Sequence, residues 1–234
     1  MAAVPIHVGA VYIEQDGGAD LHGDTIEIQF EGGAPGTQLT RLIIDTDQNT
    51  PGYSVGDLFF DTVQGGAGAD EAFPLTIVSH NGIDSVHAKV LDGGQQLELT
   101  FTGFDAGEKL ILSIDVDEIQ QYDGATSDMA HFNEGVDPIA SGVEFQGSKL
   151  TAQFTAPNYY GVDGTQEFRN VYDPQFAGTG LLQTTTNPNG LSPDDVDGNV
   201  VHFGEIGREL KPVTVFRSKP ALSGSALATD KDGL

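Results

Sequence analysis

The chemistry this chain offers is that of oxygen ligands. Residues 45–49 read Asp45-Thr46-Asp47-Gln48-Asn49 directly after the apolar run Leu42-Ile43-Ile44. Oxygens at alternate positions of a turning chain point into one cavity, which is how a calcium shell begins, and Asp57 stands close enough downstream to complete it. Thr50 occupies the place of the EF-hand glycine and no Glu closes the loop, so the motif is not an EF-hand. The competing reading is an Asx-rich turn with solvated carboxylates. Asp115 and Asp117 form a second acidic pair, since alternate residues of a strand share a face. If that face meets solvent they are a polar edge; if it is covered, burial of two like charges calls for a cation. Asp195 and Asp197, in the stretch Asp194-Asp195-Val196-Asp197-Gly198, are a third candidate, with a solvated turn as the alternative. Asp230 and Asp232 end the chain in a similar spacing.

Thirty-five acidic residues stand against ten basic ones, a formal charge of −25 over 234 residues. Such a fold repels itself, and Ca2+ is the cofactor expected to offset it. Partners that present phosphates need Lys and Arg, so nucleic acid and anionic membrane surfaces are not expected. No apolar run reaches the roughly 20 residues of a membrane helix. The first residues lack a basic segment followed by an apolar one, so any secretion signal is expected outside this chain. Cysteine is absent, which fits an exported bacterial protein built without disulfides as well as a cytosolic one.

Enzymatic signatures are missing. There is no Cys nucleophile, no H-E-x-x-H, no G-x-S-x-G and no P-loop. The six histidines are scattered without metal-ligand spacing. Carboxylate pairs suited to glycoside hydrolysis can be drawn anywhere in so acidic a chain and carry little information. Carbohydrate binding is the rival reading: Tyr122, Asn158, Tyr159, Tyr160 and Tyr172 could stack on and bond a sugar, although the chain has no Trp. Packing of those tyrosines within the fold is the alternative.

The elements that must position these groups are strands. Gly and Pro are plentiful, and residues 25–30 (TIEIQF) and 96–101 (QLELTF) alternate apolar with polar. Residues 42–44, 58–60, 75–78, 86–91, 110–116, 143–145 and 150–154 are further strand candidates separated by turn signals such as Asp92-Gly93-Gly94 and Asp105-Ala106-Gly107. Many short strands at this spacing predict an all-β fold, a two-sheet β-sandwich or jelly roll. Residues 117–129 could hold a short helix. From about Pro157 the composition shifts to Asn, Gly, Pro, Thr and Tyr, which predicts a long loop-rich C-terminal excursion. Alternation resumes at residues 213–216, so the sandwich module is expected over 1–217, with 218–234 a linker and the truncated start of a following repeat.

Residues 13–33 (IEQDGGADLHGDTIEIQFEGG), 39–49 with 56–62, 101–120 (FTGFDAGEKLILSIDVDEIQ) and 141–154 (SGVEFQGSKLTAQF) carry a resemblance. They look like a module of large multidomain surface proteins of marine bacteria, planctomycete-type adhesins in particular, where it resembles a β-sandwich preceding Cna-B or SdrD B-like repeats. The resemblance implies an extracellular, cell-surface, non-enzymatic spacer or adhesion module. Its implied partners are neighbouring modules of the same polypeptide and a glycan or another surface protein. A carbohydrate-binding module is the alternative, and a glycan-active enzyme the third reading.

Overall fold

The structure, a computed structural model, describes residues 5–13, 23–48, 51–68, 71–122, 136–137, 144–157, 159–160, 162–170, 198–202 and 209–210. The boundary expected at residue 217 and the tail after it lie outside the described residues. Fifteen strands are named in chain order: β1 Ile6–Ile13, β2 Asp24–Gly32, β3 Gln38–Asp45, β4 Leu58–Asp61, β5 Thr76–Asn81, β6 Ser85–Lys89, β7 Gln96–Asp105, β8 Lys109–Ile119, β9 Val136–Asp137, β10 Lys149–Thr155, β11 Tyr159–Tyr160, β12 Asp163–Glu167, β13 Arg169–Asn170, β14 Gly198–His202 and β15 Glu209–Leu210. No helix occurs among the described residues.

All pairings are antiparallel, and the strands form two main sheets. The first runs β13-β14-β1-β2-β8-β4, with β5 and β9 also paired to β8; the second runs β12-β10-β3-β7-β6. A short β11-β15 ribbon is separate. The expected all-β sandwich is therefore the observed fold.

The alternation seen in the sequence explains the layers. Side chains point to opposite faces at successive residues. Ile26, Ile28 and Phe30 of β2 and Leu110, Leu112, Ile114 and Val116 of β8 meet Leu42 and Ile44 of β3, Leu97 and Leu99 of β7, and Leu150 and Ala152 of β10 in one core. Ring contacts lock this layer, with Phe30 packed edge-on against Phe154 at 5.1 Å between ring centres.

Two local expectations are corrected. Residues 144–147 form a turn rather than a strand, closed by Ser148 N–H donating to Phe145 O at 3.2 Å. Phe145 is nonetheless fully buried, stacked on Tyr12 at 4.0 Å and edge-on to Phe168 at 4.8 Å. One aromatic plugging the core from a turn imitates a single period of strand alternation. The helix expected at 117–129 is likewise absent where it is described. Residues 117–119 complete β8 and residues 120–122 are not helical, while 123–129 lie outside the described residues.

Candidate functional site

The outward face of β4 and β8 is where the acidic residues gather. In the register of these strands Phe59 is opposite Asp117 and Asp61 is opposite Asp115, and directly opposed residues share a face. Leu58, Phe60, Ile114 and Val116 fill the core on the other side, so Asp61, Asp115 and Asp117 point away from it. They are still withdrawn from water, at 3%, 2% and 0% exposure.

The segment joining β4 to β5 folds back over this face. Ala67 packs with Phe59 and Ile119 in a small second cluster, joined by Tyr53, Tyr122 and Val136. Phe73 is tied to Asp115 by two hydrogen bonds: its N–H donates to Asp115 Oδ2 at 3.2 Å, and its carbonyl accepts from Asp115 N–H at 3.1 Å. Gly68 lies at the centre. A Cβ there would collide with Asp61 Oδ2 and with Asp117 Oδ2, so these two carboxylate oxygens converge on one small volume.

Asp92 holds that covering segment in place. Its Oδ1 accepts from Thr62 N–H at 2.8 Å and Val63 N–H at 3.0 Å, and its Oδ2 accepts from Ala67 N–H at 3.0 Å. Its carboxylate also fills the space a side chain at Gly66 would need. The Asp92-Gly93-Gly94 turn is pinned in turn to β4, since Gly93 N–H donates to Phe60 O and Phe60 N–H to Gly94 O.

The loop after β3 is organised differently. Asp45 Oδ1 accepts from Asp47 N–H at 3.1 Å and its Oδ2 from Gln96 Nε2 at 3.0 Å. Asp47 Oδ2 accepts from Gly52 N–H at 2.9 Å. Asp57 is fully buried and bonds across the loop, its Oδ1 accepting from Gln48 N–H at 3.0 Å and its Oδ2 from Ser54 N–H at 2.8 Å and Ser54 Oγ at 2.7 Å. These carboxylates stitch residues 45–57 together, chiefly through backbone donors. Asn49, Asp195 and Asp197 lie outside the described residues. Among the described residues no group of three or more His, Asp or Glu stands in an arrangement that would by itself enclose a metal ion.

Of the aromatic candidates for sugar binding, Tyr122 meets Tyr53 edge-on at 6.2 Å over the Phe59 cluster. Tyr53 donates its hydroxyl to Gly93 O at 2.9 Å. Burial, with the neighbouring Tyr122 adding to it, raises the Tyr53 hydroxyl above its ordinary pKa. Tyr159 and Tyr160 make up β11, and Asn158 and Tyr172 are outside the described residues.

Sequence reasoning paired Asp115 with Asp117 but missed Asp61 and Asp92. Asp61 follows Phe59-Phe60, and an Asp after an apolar pair reads as the end of a strand. Asp92 reads as a turn residue, and only the fold shows what its carboxylate holds. Comparison with family models, with curated proteins and with solved structures finds no match for this chain. The class that the geometry defines is an antiparallel β-sandwich module with an acidic seam buried beneath one of its loops. Among the described residues no helix is long and apolar enough to cross a membrane.

Proposed function

We propose that this chain is a non-enzymatic extracellular module, a spacer or adhesive unit of a multidomain bacterial surface protein, stiffened by calcium. The observation that carries the reading is the convergence of Asp61 and Asp117 beneath Gly68, with Asp115 beside them on the same buried face. Two carboxylates brought together away from water repel, and a bound cation or a shared proton relieves that repulsion. In a chain of net charge −25 a hard divalent cation with oxygen ligands is the natural counter-charge. Asp61 and Asp117 would supply two oxygens, with backbone carbonyls or water completing the shell. The extracellular and adhesive parts rest on the resemblance to surface-protein modules.

Thermal melting tests this directly. Calcium at a hundred times its dissociation constant stabilises the native state by about 2.7 kcal/mol. For a protein of this size that is a rise of roughly 5–10 °C over the midpoint in EDTA. Identical midpoints in EDTA and in millimolar calcium would remove the cation from the reading and leave a proton as the occupant of the seam. Asp47→Asn should leave the calcium response intact if the seam is the site. Loss of the response in that variant would return the site to the loop after β3.

A further inference from the structure

We propose that Asn81 is a site of spontaneous modification, converting through a cyclic imide to aspartate and isoaspartate. Asn81 closes β5 and is followed by Gly82, and both residues are exposed. Two features of the fold require glycine at position 82. Its φ of +88° lies in the left-handed region, and a Cβ there would run into the Glu108 carboxylate. The chain therefore places an asparagine next to a residue that has no side chain of its own to hinder attack by its nitrogen. Asparagine is among the chemically labile residues, and its reaction with its own backbone is limited chiefly by the bulk of the next side chain and by rigidity.

The position lies at the margin of its sheet. Strand β5 pairs with β8 alone among the described strands, and its register shifts between Ile77 and Ser79. The turn that follows is closed by Ile83 N–H donating to His80 O at 3.2 Å and by a contact of 3.0 Å between His80 Nδ1 and Ile83 O, so that Asn81 and Gly82 occupy its two central, exposed positions.

The chemistry balances without any redox partner. The Gly82 nitrogen attacks Asn81 Cγ, a new bond from that nitrogen to Cγ forms as the bond from Cγ to Nδ2 breaks, and the amide proton leaves with the amino group as ammonia. Water then opens the ring at either carbonyl. One product carries the chain through the α-carboxyl as aspartate, the other through the side-chain carboxyl as isoaspartate. Either adds a negative charge opposite Lys109, which is paired in register with Asn81 and already bonds Glu27 at 2.9 Å. Isoaspartate also lengthens the backbone in the turn that carries the chain from the first sheet to the second.

The test compares the folded protein with a synthetic peptide of residues 76–89, both held in warm, mildly alkaline buffer. Conversion at Asn81 is followed by peptide mass spectrometry and by labelling with an isoaspartyl methyltransferase. The expected result is conversion in the folded protein at a rate comparable with the peptide, abolished in Asn81→Gln and slowed in Gly82→Ala. Asn81→Gln keeps the backbone of the turn and serves as the control should Gly82→Ala fold poorly. Retention of the Asn81 amide through several half-lives of the free peptide would overturn the proposal, as would an isoaspartyl label that persists undiminished in Asn81→Gln.

Discussion

Gly68→Ala sets two effects of opposite sign against each other. Gly68 has no positive φ that would forbid a side chain. Were the space around it open, alanine would stabilise the protein by roughly 0.4–1 kcal/mol through a less disordered unfolded chain. The structure assigns the reverse, because the added methyl would overlap Asp61 Oδ2 and Asp117 Oδ2 together. Neither oxygen has an easy retreat, since Asp61 and Asp117 are anchored on paired strands and almost fully buried. Overpacking of this kind costs about 1–3 kcal/mol, which for a domain of this length lowers the melting midpoint by roughly 4–8 °C in the middle of the range. Urea unfolding followed by tyrosine fluorescence measures it, there being six Tyr and no Trp. Repeating the titration in EDTA and in calcium separates the seam's packing from its charge. The packing loss should appear in both, and the gain from calcium should shrink as the methyl occupies the space between the oxygens. A variant as stable as the parent, or more so, would refute the convergence of these carboxylates.

Asp57→Ala removes the acceptor of three hydrogen bonds and leaves the Gln48 and Ser54 amides without it; a loss of about 3 kcal/mol in equilibrium unfolding is expected. Phe145→Ala empties the space between Tyr12 and Phe168 and should cost roughly 3–5 kcal/mol, measured the same way. The hydrogen bond from Arg41, supported by its charge, holds Glu98 below the usual carboxylate pKa. A carboxylate whose folded pKa is depressed stabilises the fold above its unfolded pKa and loses that contribution as pH falls through the folded value. Acid titrations of Glu98→Gln should therefore lack one increment that the parent loses below the ordinary carboxylate range.

Legibility followed the chemical character of each strand's outward face. Strands β2, β7 and β8 were readable because each alternates a core face with a more polar one, as in Ile26, Glu27 and Ile28. Strand β1 was not, because it lies between β14 and β2 with Val11 and Ile13 buried outward as well as Val8, Ala10 and Tyr12 inward. A strand whose two faces are both apolar loses its period of two. The acidic seam was half legible for a related reason. Asp115 and Asp117 share a face by spacing alone, but Asp61 joins them only through the β4–β8 register. Gly68, which marks where the oxygens meet, has no signature apart from the fold. The carboxylates after β3 show the opposite limit: Asp45, Asp47 and Asp57 accept hydrogen bonds from Asp47, Gly52, Gln48 and Ser54, and spacing alone does not distinguish a turn held by its carboxylates from one that also holds a cation.

The pairing of β1 with β14 bears on how the module would respond to tension. The strands are antiparallel, with Gly9 opposite His202 and Ile13 opposite Gly198, so the start of one lies beside the end of the other. A pull applied to the chain before Ile6 and after His202 would enter this ladder at a single end and peel it rung by rung, each rung bearing the load alone. Strands pulled from opposite ends would share the load along their whole length and resist far more. Under such a pull the ladder between β1 and β14 opens by unzipping, while the long β8, paired along both sides, would hold the remaining sheet together behind it.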